Sequence, residues 1–161
     1  MKKNFILLLF LPFGAGLLNG QTKADLVSCL KIALASPEME TAFTQEWGDA
    51  RPLYLQKPER QSIGRQPVEE LMRQLEVEDF NGFQWEVIPM DREAIQQLPV
   101  NEQEFGVLTL GASYREAWST LSINLFVNLP RYPRSELTGS FVLEKVNGAW
   151  QTIQKSVEVR P

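Results

Sequence analysis

Apolar and polar residues alternate along the last third of the chain in four successive runs. These are Phe105 to Arg115, Trp118 to Asn128, Thr138 to Val146 and Ala149 to Val159. Successive side chains on a strand point to opposite faces, so the pattern predicts four strands. Asn147-Gly148 between the last two favours a type I′ turn, because both central residues need positive φ. A two-residue loop also sets the register. It predicts Val146 opposite Ala149, Lys145 opposite Trp150, Leu143 opposite Thr152, Val142 opposite Ile153 and Phe141 opposite Gln154. Trp150 then shares a face with Phe141 and Leu143. In the second run Leu121, Ile123, Leu125 and Val127 point one way, and Trp118, Thr120, Ser122, Asn124, Phe126 and Asn128 the other. Leu108 and Leu110 of the first run share one face, opposite Val107, Thr109 and Gly111. One face of the sheet is therefore aliphatic and needs a cover. The mixed face is either solvated or the wall of a cavity, since small-molecule sites combine aromatic rings with a few polar groups. On the cavity reading the candidate ligand-binding residues are Trp118, Thr120, Asn124 and Phe126.

Helical spacing dominates the first half. Thr22 followed by Asp25 is a capping-box pattern, and Leu26, Cys29, Leu30 and Ala33 give one apolar stripe. Ser36-Pro37-Glu38 opens a second helix with Met39, Ala42 and Phe43 inward, closed near Gly48. Leu53-Tyr54-Leu55 predicts a short strand, and Lys57 to Gln66 an exposed loop. A third helix starts at Pro67, with Val68, Leu71, Met72 and Leu75 at helical spacing. Phe83, Trp85 and Val87 alternate as in a strand, and Asp91 caps a short helix before Pro99. Helices first and sheet afterwards predict an α+β domain, with N-terminal helices packed on a C-terminal antiparallel meander.

Residues 1–20 read separately. Lys2 and Lys3, the apolar run Phe5 to Leu18 and the small Gly20 have the layout of a secretory signal peptide. The expected product is one domain, 21–161, exported to a periplasmic or extracellular space and touching a membrane only through that signal. Losing Lys2 and Lys3 takes the net charge two units lower, from −4 to about −6. An acidic domain without clustered Lys and Arg does not suit nucleic acid. Cys29 is the only cysteine, so no disulfide closes within the chain. Leu26-Val27-Ser28-Cys29 resembles a bacterial lipobox, but Lys23 and Asp25 separate it from the apolar run. The other reading, a small buried group on a helix face, is the usual fate of a free cysteine.

The chain has no histidine, which removes the commonest general base and metal ligand. With a single cysteine as well, neither a metal site nor a cofactor is predicted. No glycine-rich phosphate loop or nucleophile elbow occurs. Glu69, Glu70, Glu76, Glu78 and Asp79 gather around the third helix, opposite its apolar stripe, as a solvated face does. Leu129 to Leu137 is predicted to be a loop stiffened by Pro130 and Pro133. Arg131, Tyr132 and Arg134 at its tip are candidate protein-interaction residues, since Arg and Tyr are enriched at interfaces.

Early helices, then a meander ending in Val146-Asn147-Gly148-Ala149-Trp150, resemble the cone of NTF2-like and cystatin-like domains. The resemblance implies a sheet and helices that together enclose a pocket. It also implies that some relatives are isomerases or dehydratases, usually with an Asp or His in the pocket. This chain has no His, and no Asp lies in the four runs. Two functions follow as expectations. One is a non-enzymatic binding or protein-interaction module for a small apolar molecule or another exported protein. The alternative is a small enzyme using carboxylate acid–base chemistry.

Overall fold

Thr22 and Asp25 start the first helix as a reciprocal cap: the Asp25 amide donates to Thr22 Oγ1 at 3.1 Å, and the Thr22 amide donates to Asp25 Oδ2 at 3.2 Å. That helix, α1, runs Lys23–Leu34 and buries Leu26, Cys29, Leu30, Ala33 and Leu34. The computed structural model describes residues 22–47, 52–59, 67–99, 105–115, 119–130 and 132–160. Residues 1–21, Gly48, Trp118 and Arg131 lie outside the described residues, as do residues 60–66.

Helix α2 (Pro37–Trp47) buries Met39, Ala42 and Phe43. Strand β1 (Leu53–Gln56), helix α3 (Pro67–Arg73) and a 3-10 turn (Val77–Phe80) follow. Next come β2 (Val87–Met90) and α4 (Arg92–Gln96). The meander is β3 (Gly106–Arg115), β4 (Thr120–Leu129), β5 (Tyr132–Val146) and β6 (Ala149–Arg160). All six strands form one sheet in the order β2-β1-β3-β4-β5-β6.

The protein is α+β, but its sheet is mixed and not purely antiparallel. β1 lies parallel to both β2 and β3, while β3 to β6 are antiparallel. Parallel neighbours need a crossover, which the segment carrying α3 and the 3-10 turn supplies between β1 and β2. Pro89 is tolerated in β2 because that strand is the sheet edge.

One face of the sheet is closed. Leu121, Ile123, Leu125 and Val127 of β4 are fully buried with Leu108 of β3 and Phe141 and Leu143 of β5, in one core with α1, α2 and α3. At the β1 end a second cluster of Tyr54, Ile95 and Phe105 lies on the other face, under α4, with the Tyr54 and Phe105 rings edge to face at 5.2 Å. Phe83 and Trp85 are not in a strand, as their alternation suggests. The Trp85 indole N–H donates to the Leu34 carbonyl at 3.3 Å, finishing α1, and its ring lies 4.5 Å from that of Phe43. Asp91 stands at the start of α4 in extended backbone, but its side chain makes no capping hydrogen bond.

Two other expectations change. β5 already begins at Tyr132, three residues after β4 ends at Leu129, so Leu129 to Leu137 is not a long loop. The register jumps from Asn128↔Glu136 to Leu129↔Tyr132, so Pro133, Arg134 and Ser135 are extra residues on β5. Proline has no N–H to give a ladder, which suits Pro133 to that irregularity.

The Asn147-Gly148 turn holds as expected, with φ of 52° and 84°. Val146↔Ala149, Lys145↔Trp150 and Leu143↔Thr152 also hold, and Trp150 packs against the main core. Beyond them Val142 faces Gln154 and Phe141 faces Lys155. Ile153 is thus the extra residue of a β-bulge, and every side chain after it changes face.

Two glycines are required for different reasons. Gly148 sits at positive φ, where a β-branched residue is strained. Gly139 lies under α2, where a Cβ would stand 2.9 Å from Phe141 Cε2 and 3.0 Å from Met39 Sδ. Gly148→Val is expected to lose about 1–3 kcal/mol through backbone strain, and Gly139→Val a similar amount, about 1–3 kcal/mol, through overpacking. Urea denaturation checks both; a parental midpoint in either variant removes that constraint from the account.

Candidate functional site

The uncovered face of the sheet is built in rows by the register. One row runs Thr109, Phe126, Thr138 and Glu158; its neighbours run Gly111, Asn124, Ser140, Ser156 and Asn128, Glu136, Arg160. Hydroxyls, amides and carboxylates thus surround one aromatic ring. Phe126 is 39% exposed, a large apolar group left in water among these polar neighbours. Phe126, Thr138, Ser140 and Ser156 line a shallow groove of about 220 Å³, with Glu136, Glu158 and Arg160 at its charged end. The Ser140 hydroxyl donates to Asn124 Oδ1 at 2.9 Å, and both residues are exposed. Arg160 Nη2 stands 3.6 Å from Glu158 Oε2.

The structure divides the sequence candidates. Asn124 and Phe126 are exposed neighbours on this face, whereas Thr120 is buried at the far end of β4. Trp118 and Arg131 lie outside the described residues, and Tyr132 and Arg134 stand on β5 as backbone. Glu136, Thr138, Ser140, Ser156, Glu158 and Arg160 complete the face and did not emerge from the sequence. Without the bulge, Phe141 opposite Gln154 would have sent Ser156, Glu158 and Arg160 to the helix side. The available signal was Val157 and Val159, whose odd positions fit the aliphatic face only if one residue is extra.

The most connected carboxylate lies elsewhere. Asp25 Oδ1 accepts from Lys145 Nζ at 2.6 Å and from the Trp150 indole at 2.9 Å, while its Oδ2 holds the Thr22 cap. Burial pushes the Asp25 carboxyl up, but the bonds from Lys145, Trp150 and Thr22 outweigh it and hold the pKa at about 2. The acids near α3 serve similar ties. Asp79 accepts from Lys23 Nζ and from the Glu76 amide, each at 2.9 Å, and Glu70 lies 3.4 Å from Arg73 Nη2. Burial pushes Asp79 up too, but the bonds from Lys23 and the Glu76 amide, with the Lys23 charge, together outweigh it, so its pKa falls below the usual value. The bond from Lys155 lowers Glu38 in the same direction. Among the described residues no three acid or thiol side chains gather closely enough to hold a metal ion. Cys29 is fully buried, and burial, with the Asp25 charge next, pushes its thiol up to about 12. A thiol so placed is inert.

Asp25 binds a proton less readily folded than unfolded, so its contribution to stability is complete above its ordinary value of 3.8 and fades as pH falls to about 2. Thermal unfolding is expected to change little from neutral pH to about 5 and to drop steeply between about 4 and 2. Asp25→Asn should be weaker by about 1–3 kcal/mol at neutral pH and flatter across the acid range. A parental acid profile in that variant contradicts the assignment. Comparison with protein-family models, with curated proteins and with solved structures finds no match to this chain.

Proposed function

We propose that this protein is an exported, non-enzymatic binding module that recognises another exported protein with the open face of its sheet. The observation that carries the reading is Phe126, left exposed at the centre of that face beside the Asn124–Ser140 pair. An aromatic anchor ringed by hydrogen-bonding groups is how interface cores are built. The groove is shallow and open, which suits a protein surface better than an enclosed small molecule. The basic start and apolar run of residues 1–20 support export. Helices on one face of a long meander support an open relative of the NTF2-like cone, with β1 and β2 added in parallel. The carboxylate-enzyme alternative has Glu136 and Glu158 in the groove. A general acid needs a desolvated carboxyl, and Glu158 stands exposed beside Arg160.

Photocrosslinking in the native host tests the reading. A benzophenone amino acid in place of Asn124 is expected to give a discrete adduct that Phe126→Ala reduces at least tenfold. The same probe in place of Val77, 51% exposed on the 3-10 turn, should give none. No adduct at Asn124, or one indifferent to Phe126→Ala, overturns the reading. Export has its own check in intact-mass measurement: a chain starting near residue 21 is expected, and a cytoplasmic chain that keeps Met1 contradicts it.

A further inference from the structure

β6 closes the sheet order, and among the described strands nothing pairs with its outer edge. An unpaired edge is a template for another strand, and proteins commonly blunt it with charge or a bulge. The Ile153 bulge interrupts this edge at its middle and leaves Gln154 to Arg160 as the longer regular stretch. Beyond the bulge, Lys155, Val157 and Val159 point to the helix side, and Gln154, Ser156, Glu158 and Arg160 to the open side. The helix layer rests on β6 through α1 and α2, with Lys155 of β6 paired to Glu38 of α2. Between α2 and β6 it leaves an open ledge of about 350 Å³, lined by Pro37, Thr41, Ala42 and Gln45 above Val157 and Val159.

We infer that the occupant of this edge is a second copy of the chain, paired antiparallel through β6 about a two-fold axis at Val157. The argument is self-complementarity. A two-fold interface sets the same patch against itself. With Val157 opposite its own copy, Ser156 meets Glu158, Gln154 meets Arg160 and Lys155 meets Val159. On the open side a hydroxyl then donates to the Glu158 carboxylate, and the Arg160 guanidinium donates to the Gln154 amide oxygen. No like charges stand directly opposite each other, which would oppose pairing. On the helix side Lys155 already has its charge matched, with Nζ 2.7 Å from Glu38 Oε1. Its aliphatic stem can therefore lie along the partner's valine. The two ledges face each other across the axis and close over a shared row of Lys155, Val157 and Val159. Main-chain bonds supply affinity in such strand addition, and the alternate side chains set its register.

Light scattering and single cysteines test this on the purified chain. Mass is expected to double across about 1–100 µM. Val157→Cys is expected to form a disulfide dimer on mild oxidation, because directly opposed strand residues have Cα atoms about 4.5–5.5 Å apart, within the about 4.4–6.8 Å span of a disulfide. Ser156→Cys and Val159→Cys, which do not meet their own copies, should crosslink at least tenfold more slowly. The buried Cys29 thiol stays out of the reaction. A monomer mass at every concentration overturns the inference. So does a dimer in which Val157→Cys crosslinks no faster than Val159→Cys, since that dimer uses another surface.

Discussion

Burial of one aliphatic stripe is the constraint on which the rest of the structure depends. Leu121, Ile123, Leu125 and Val127 are fully buried along a single strand, and α1 crosses them with Leu26, Leu30 and Ala33. Each such side chain contributes about 1.5–3 kcal/mol on burial, whereas an exposed ion pair contributes about 0–1 kcal/mol. The hydrophobic stripe therefore decides that helices cover this face, and the surface ion pairs do not. The opposite face of β4 offers Ser122, Asn124 and Asn128, which gain nothing from an apolar cover. A closed face and an open one follow from the same ten residues of β4.

Hydrophobic burial is not directional, so a second interaction places the helices. Asp25 belongs at once to the cap of α1 and to the β5–β6 hairpin through Lys145 and Trp150. The Lys145 ammonium also lies 5.6 Å from the Trp150 ring centre. Lys23 to Asp79 ties the same helix end to the 3-10 turn, and Lys155 to Glu38 ties β6 to α2. Gly139 lets α2 come close enough for Met39 to sit on the sheet. Orientation thus comes from a few polar contacts and one missing side chain, laid over a core that would accept several arrangements.

The face assignments of β3 and β4 were legible because alternation is a local property of the chain. So were α1 with its cap, the stripe of α2, and the Asn147-Gly148 turn, whose geometry resides in two residues. The parallel pairing of β1 was not legible. Four-residue strands carry no sign of direction, and their partners lie far along the chain. The candidate site was half legible for a sharper reason. Side chains repeat every two residues, so the one extra residue at Ile153 reverses the fate of everything after it. Ser156, Glu158 and Arg160 reached the open face only through that bulge. Pro130 and Pro133 suggest a loop around Tyr132 and Arg134, yet strand pairing resumes on either side of them.

The functional reading rests on the division between the two faces, and single added cysteines along β4 measure it directly. Cys29, buried on the inner face of α1, supplies an unreactive background. A small maleimide is predicted to label cysteine rapidly at 122, 124, 126 and 128, and to label it far more slowly at 121, 123, 125 and 127. Slow labelling at all eight positions, or labelling that does not alternate, would contradict a sheet with one closed face and one open.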